Sequence, residues 1–304
     1  MTHLRAVWMM VLATFLWSTA GMVTRFLDAA RSFEVTFWRS AVTAVTVLAI
    51  LLWLRGPGLF AQMRRAGWPL WASGACWAVS FTGFMVAMTL TRVATVLIVM
   101  ATAPLLTAVF ARFFLRQHVA RRTWVAIGVA GVGMVWMYGG AALAGGSAML
   151  GALVAFSVPL SNATNWTLMQ HASQTAANRP PVDLLPAVLV GAVVSALAVL
   201  PLALPFSATA HDVTLLAGLG VFQLAVPCLM VVAAGRVLPA PEMALLSLLE
   251  VTFGVLLAWV GAGEAPGPAA FIGGPLVIGA LLVNEWLALR ERQRTAADVP
   301  LAVN

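Results

Sequence analysis

The chain has 304 residues, 62% apolar and 9% charged, with a mean hydropathy of +0.97; a soluble domain carries roughly 25% charged residues. Such a composition cannot cover a water-facing surface, and at roughly 20 residues per span of a ~30 Å hydrocarbon core it supplies about ten membrane helices and little else. The formal charge of +7 comes from 17 basic residues that are all Arg, standing singly or in small groups between apolar runs, which marks cytoplasmic loops rather than a nucleic-acid surface.

In chain order, a short tail from Met1 to Arg5 precedes a first span near 7–27. That run continues through Trp17 to Phe26 without a small-residue cleavage site, so it reads as a span rather than a signal peptide. Helical spacing puts Thr14, Trp17, Ser18, Gly21 and Thr24 on one stripe, which faces either a solute cavity or another helix packed through small hydroxyl residues. A second span lies near 34–54, and a third near 68–90 carries Trp77, Ser80, Phe81, Phe84 and Met88 on one face. These aromatics either stack on an apolar part of a solute or pack in the core. Spans near 93–114, with a helix break or hinge at Pro104, and near 122–140 complete a first set.

The second set runs near 147–170, 184–204, 213–234, 241–262 and 268–289. Its first member, the sixth span, places Pro159, Ser161, Asn162, Asn165 and Trp166 within two turns. Pro159 removes a backbone hydrogen bond and frees a carbonyl, and the carboxamides at membrane depth need partners, either solute or another helix. The eighth span repeats a polar group near a helix break with Phe222, Gln223 and Pro227. In the ninth, Glu250 is the only acidic residue near the middle of any span, with Ser247 and Gly254 on its face. A charge there costs roughly 2.5 to 3.5 kcal/mol on insertion scales, so it is paired, solvated or protonated. It binds a solute ammonium, carries a coupling proton or holds a structural pair with a group such as Asn162.

Other polar groups have simpler expectations. Trp53, Trp68, Trp71, Trp124, Trp136 and Trp286 lie near span ends as interfacial anchors. Glu242, Glu264, Glu285 and Glu291 also sit near span ends, where water or an Arg neighbour suffices. Arg25, Arg39 and Arg92 cluster at the outer face, where they snorkel to lipid headgroups or one of them guides a carboxylate at the exit. Cys76 and Cys228 are buried thiols. His118 and His171 have no metal-ligand spacing, and with no Lys a Walker A loop, a catalytic Lys and a Schiff base are excluded. No metal, cofactor or catalytic residue is expected.

With the N-terminus inside, 13 Arg fall on cytoplasmic segments and 4 (Arg25, Arg31, Arg39, Arg92) at the outer side, so both termini are expected in the cytoplasm. The fourth and fifth spans resemble the ninth and tenth at an offset near 147 residues, which aligns Gln117 with Glu264 and, within a one-residue slip, Gly128 with Gly274. Their connecting loops carry opposite charge character: LRQHVARR is basic, GAGEAPGP is not. The expected fold is therefore an all-α membrane protein of ten helices in two inverted five-helix repeats, 1–142 and 143–290, with a cytoplasmic tail at 291–304. Inverted repeats are the signature of alternating access, although channels also carry them.

The order of short motifs resembles the drug/metabolite transporter superfamily and its EamA-type ten-helix carriers over nearly the whole chain. Trp17-Ser18-Thr19 resembles the family's early Trp-Gly-Ser, Arg39 its second-helix Arg, Pro104 its fourth-helix Pro, and Gly263-Glu264 its Leu-Gly-Glu. The stretches Gly128 to Gly133 and Gly274 to Gly279 resemble its glycine-spaced helix. Gln117 replaces the first-half Glu, and Glu250-Val251 stands where a Glu-Pro is usual. The Trp and Phe content and the length look similar to the YddG-type exporters of aromatic amino acids.

The resemblance implies a bacterial inner-membrane secondary transporter, not an enzyme, that exports neutral or aromatic amino acids and related metabolites. The expected partner is a small zwitterion, and the carrier is expected to work as a monomer. The candidate solute-binding residues are Thr14, Trp17, Ser18, Trp77, Ser80, Phe81, Phe84, Asn162, Asn165, Trp166, Gln223, Ser247 and Glu250, with Pro104, Pro159 and Pro227 as hinges. Proton-coupled efflux of lipophilic cations and a passive solute channel are the alternatives. A cavity with so few cations argues against phosphorylated solutes, which need Arg or Lys clamps.

Overall fold

The computed structural model describes residues 1–30, 32–91, 93–143, 149–175, 182–262 and 268–297. Arg31, Arg92, Arg179 and the Gly263-Glu264 pair lie outside the described residues, within which the chain is helical throughout, with no strand. Among the described residues, eight helical stretches are long and apolar enough to cross a membrane.

Helix α1 (His3–Val23) starts from Thr2, whose hydroxyl accepts from the Arg5 amide at 3.4 Å, a side-chain cap for an otherwise orphaned donor. It passes into a 3₁₀ turn, Thr24–Phe26. Helix α2 (Ser32–Arg55) ends at Gly56, whose φ of +64° a side chain would disfavour. A short α3 (Leu59–Arg65) tucks Leu59 and Met63 under the core. Helix α4 (Trp68–Leu90) opens with Pro69 in its first turn, where a missing N–H costs nothing.

The fourth span is not continuous. It breaks at Ala101–Thr102 into α5 (Val93–Met100) and α6 (Ala103–Phe114), with Pro104 in the first turn of α6. Thr102 turns its hydroxyl back onto the Val99 carbonyl at 2.6 Å and satisfies part of the exposed end. Helices α7 (Arg121–Leu143) and α8 (Met149–Thr175) are 23 and 27 residues long, and α8 runs through Pro159 without interruption. Helix α9 (Leu185–Ala203) leads to α10 (Ala210–Gly218), which begins on a reciprocal cap between Thr209 and Asp212.

From α10 the chain widens into a π segment, Leu219–Ala225, before α11 (Val226–Ala234). The cause lies in Pro227: its ring crowds the carbonyl four residues back, that of Gln223, and a π turn moves that carbonyl away. The ninth span also breaks, at Leu248, into α12 (Ala240–Ser247) and α13 (Leu249–Ala262), and α14 (Ala270–Ala297) closes the chain.

Helix α4 packs on α8 and α9, α2 on α9, α7 on α14, and α1 on α11 and α13. A main core gathers Met10, Leu51, Leu70, Trp77, Trp166 and Met243. The outer surface is apolar in turn: Trp53, Phe113, Val260 and Leu282 are 85%, 74%, 83% and 65% exposed, far more than a water-soluble monomer tolerates. Of the expected anchors, Trp53, Trp68, Trp71, Trp136 and Trp286 lie on this exposed surface.

The two broken helices meet at one end and part at the other. Helix α6 packs against α12, whereas α5 lies on α7 and α8 and α13 on α1. The closed end carries the N-terminus, because His3 Nε2 hydrogen-bonds Glu242 Oε1 in the first turn of α12. Two further ties hold that end. Gln170 on α8 donates to Gln117 Oε1 at 2.9 Å and accepts from the Ala240 amide at 2.9 Å, and Asp183 bridges Arg55 and Arg236 at 2.5 and 3.1 Å.

Candidate functional site

Where the broken helices part, a narrow cavity of about 30 Å³ opens between α1, α5, α6, α8, α12 and α13, room for about two waters in this state. Both breaks contribute to its wall: Met100 and Ala103 flank the first, and Ser247, Leu248, Glu250 and Val251 surround the second. Helix α8 adds Pro159, Asn162 and Trp166, and α1 adds Trp17. Discontinuous helices at mid-depth expose backbone groups and helix ends that a continuous helix keeps to itself.

Each polar wall residue is positioned by a neighbour. Asn162 Oδ1 accepts from the Ser80 hydroxyl of α4 at 2.7 Å, which commits the amide oxygen and leaves the amide N–H groups for the cavity. Ser247 bonds the Ala244 carbonyl of its own helix at 2.7 Å. Glu250 sits in the first turn of α13, where the helix dipole favours a negative charge. It is half-buried, and among the described residues no ion pair within 4 Å engages it.

Of the residues singled out from the sequence, Trp17, Pro159, Asn162, Trp166, Ser247 and Glu250 thus line one cavity. Ser80 stands behind Asn162. Asn165 is buried and accepts from Ser73 at 2.6 Å, away from the cavity wall. Thr14 and Ser18 are buried and bond the carbonyls of Val11 and Phe15 in their own helix. Trp77 and Phe81 stack at 5.6 Å inside the main core, and Phe84 packs with Ala87, Val96 and Ala155. Gln223, in the π segment, donates to the Trp17 carbonyl at 3.3 Å and holds the backbone of that wall residue. Pro104 marks the first break, Pro227 follows the π segment, and Pro159 lies within an unbroken helix.

Two expectations need correction. Arg39 does not snorkel to an outer surface: it is 7% exposed, and Nη1 points at Met85 Sδ on α4, 3.8 Å away. It lies more than two turns into α2, whose neighbours close over it. Glu242 is not left to water but buried, bonded by His3, with Glu285 completing a group whose ligand atoms lie within 4.8 Å of one another. Both misses have one origin, since Met85 and His3 are 46 and 239 residues away from their partners. The remaining wall residues Met100, Ala103, Leu248 and Val251 carried no chemical signal in the sequence.

A multi-helix apolar scaffold with a polar cavity at two helix breaks defines the class of membrane transport proteins. The profile of the EamA-like transporter family matches residues 4–139 and again 149–285. The chain belongs to the EamA-like transporter family, and so is a multi-pass membrane transporter of small solutes rather than an enzyme. A solved crystal structure shares the fold with a TM-score of 0.75 and 20% identity, covering 94% of this chain and 99% of its own. Among curated proteins, none matches significantly in sequence.

Proposed function

We propose that this transporter exports neutral or aromatic amino acids and related zwitterionic metabolites by alternating access across a bacterial inner membrane. In this reading ten spans form two inverted five-helix halves, 1–142 and 143–290, with both termini in the cytoplasm. One observation carries it: a cavity bounded by both helix breaks is sealed at the N-terminal end by α6 on α12 and flanked at the other end by the parted α5 and α13. Such a state faces outward if the N-terminus is inside, and the inward state follows when α5 closes on α13 and α6 leaves α12. The one-sided seal favours a carrier over a passive channel.

The cavity chemistry supports a neutral amphoteric solute. Trp17 and Trp166 offer flat apolar surface, Asn162 offers donors, and Glu250 offers an acceptor for an ammonium. Saturable counterflow of radiolabelled amino acids in proteoliposomes, with and without a proton gradient, tests the assignment; conductance without saturation overturns it. The YddG-like preference for aromatic side chains rests on Trp17 and Trp166 and is read from the same panel.

A second reading draws on Glu250 lying in one wall with two indoles, an arrangement that also suits a lipophilic cation exchanged for protons. Glu250→Gln separates the two: cation efflux collapses, whereas exchange of a zwitterion persists with reduced affinity. A reporter fused after Arg122 is expected inside and one near Glu264 outside.

A further inference from the structure

We infer that His3, Glu242 and Glu285 form a binding site for a divalent transition-metal cation such as Zn²⁺, at the closed end of the bundle and outside the cavity. The site is independent of the solute that the cavity takes.

The three residues come from three helices far apart in the chain. His3 opens α1, Glu242 lies in the first turn of α12, and Glu285 lies in α14. Each offers one ligand atom, and the three atoms lie within 4.8 Å of one another. His3 Nε2 and Glu242 Oε1 already touch, with side chains only 11% and 9% exposed. A zinc ion sits about 2.0 to 2.2 Å from imidazole nitrogen and carboxylate oxygen, so its ligand atoms stand about 3 to 4 Å from one another. A small side-chain rotation brings the trio to that geometry.

The donor set fits such an ion. One neutral imidazole and two carboxylates cancel a 2+ charge, whereas within the trio alone a protonated imidazole balances only one carboxylate of the two. Imidazole selects zinc, cobalt and nickel over magnesium and calcium, which take oxygen ligands. Three protein ligands leave a fourth position for water. Outer support is also in place. Asn284, 4% exposed, donates Nδ2 to Glu285 Oε1 at 3.4 Å, and its own Oδ1 accepts from Thr123 of α7 at 3.3 Å. Partners of this kind orient a ligating carboxylate.

A plain ion pair needs His3 and Glu242 only and does not account for a second carboxylate brought to the same nitrogen, where two negative charges repel. The other cluster of this composition among the described residues, Asp28, His211 and Asp212, lacks these properties. Asp28 and His211 are exposed, and both Asp212 oxygens are taken by four backbone amides. A cation held by His3, Glu242 and Glu285 would clamp α1, α12 and α14 at the end where α6 also packs on α12.

The test is titration of the full-length protein in nanodiscs with Zn²⁺, after chelator treatment and removal of any affinity tag. The wild type is expected to bind about one Zn²⁺ with a Kd in the micromolar range or below, and its Tm should rise with free Zn²⁺. Mg²⁺ in about thousandfold excess should not compete. Glu285→Gln and Glu242→Gln should each weaken binding at least about tenfold, His3→Ala likewise, and His211→Ala should leave it unchanged. X-ray absorption at the zinc edge needs no variant: the wild type should show one imidazole in a shell of nitrogen and oxygen at about 2.0 to 2.2 Å. The site is overturned if the wild type binds no Zn²⁺, if binding survives either carboxylate variant or is lost in His211→Ala, or if the shell holds sulfur or two imidazoles.

Discussion

Ser80 on α4 donates its hydroxyl to Asn162 Oδ1 on α8 at 2.7 Å, and the amide so oriented lines the cavity at the two helix breaks. The bond does two things: it joins two closely packed helices and decides which face of the carboxamide turns to the cavity. Ser80→Ala frees the amide to rotate, so KM for the preferred solute should rise several-fold while the protein loses about 1 kcal/mol of stability. Asn162→Leu removes the donors altogether, and transport should fall further. Counterflow kinetics beside thermal unfolding check both. A Ser80→Ala variant with unchanged KM would show that amide orientation does not matter.

The seal at the N-terminal end predicts a different phenotype. His3 reaches Glu242 from the start of α1, and both side chains are about nine-tenths buried, at 11% and 9% exposure. Removing one partner of a charged hydrogen bond costs about 1.5 to 3 kcal/mol. His3→Ala should therefore weaken the closed end and shift the population toward opening there by about ten- to a hundredfold. The measurement is labelling of a cysteine placed at Ala103 in a variant lacking Cys76 and Cys228, with reagent supplied from the N-terminal side. Labelling that does not rise would mean that Gln117, Gln170 and Ala240 hold the seal unaided.

Much of the candidate site was legible because the physics of a membrane interior leaves few options. A carboxylate such as Glu250, or an amide such as Asn162, halfway along an apolar run has to face protein or water, and the cavity is where they converge. The hydroxyl stripe of α1 illustrates the opposite case. Thr14 and Ser18 satisfy themselves on carbonyls three residues back, an option that spacing alone does not distinguish from solute contact. The break at Leu248 has no Gly or Pro at its own position to announce it, and the segment before it packs against α6 and α8, contacts that local propensity does not reveal. Arg39 shows the same limit. Its stem is long enough to snorkel, and only Met85 on α4 reveals that it turns inward.

Helices α7 and α14 meet at two glycines. A Cβ on Gly133 would stand 2.8 Å from the Gly273 carbonyl oxygen, and one on Gly273 would stand 2.5 Å from that of Gly133. Backbone that close cannot yield to a methyl without the helices separating, as small-residue interfaces in membranes require. Gly133→Ala should cost about 1 to 3 kcal/mol, and Gly133→Leu should disrupt the pair. By contrast, Gly128 has open space around its Cβ position, so Gly128→Ala should be neutral or slightly stabilising through helix propensity. Thermal unfolding in detergent separates the two positions; equal losses at both would contradict the close approach.

Asp212 organises the end of the bundle opposite His3. Its carboxylate accepts from the backbone amides of Asp28, Ala29 and Ala30 at 2.7, 3.0 and 3.1 Å and from Thr209 at 3.1 Å. Four donors converge on two oxygens, so the chain between α1 and α2 is held by one side chain that also caps α10. Asp212→Asn replaces one acceptor oxygen with an N–H₂ that faces N–H groups, a repulsive arrangement that rotation of the amide does not relieve, because both oxygens are in use. The expected result is faster hydrogen exchange at Asp28, Ala29 and Ala30 and a lowered Tm. Asp212→Glu, which keeps both oxygens but lengthens the arm, should retain part of the protection. Unchanged exchange in Asp212→Asn would show that the three amides are protected by burial and not by the carboxylate. Glu34 makes the comparison sharper, since it bonds the Ser207 and Ala208 amides from the other side of the same junction. Glu34→Gln should therefore loosen residues 207 and 208 first and leave the Asp28 to Ala30 amides protected.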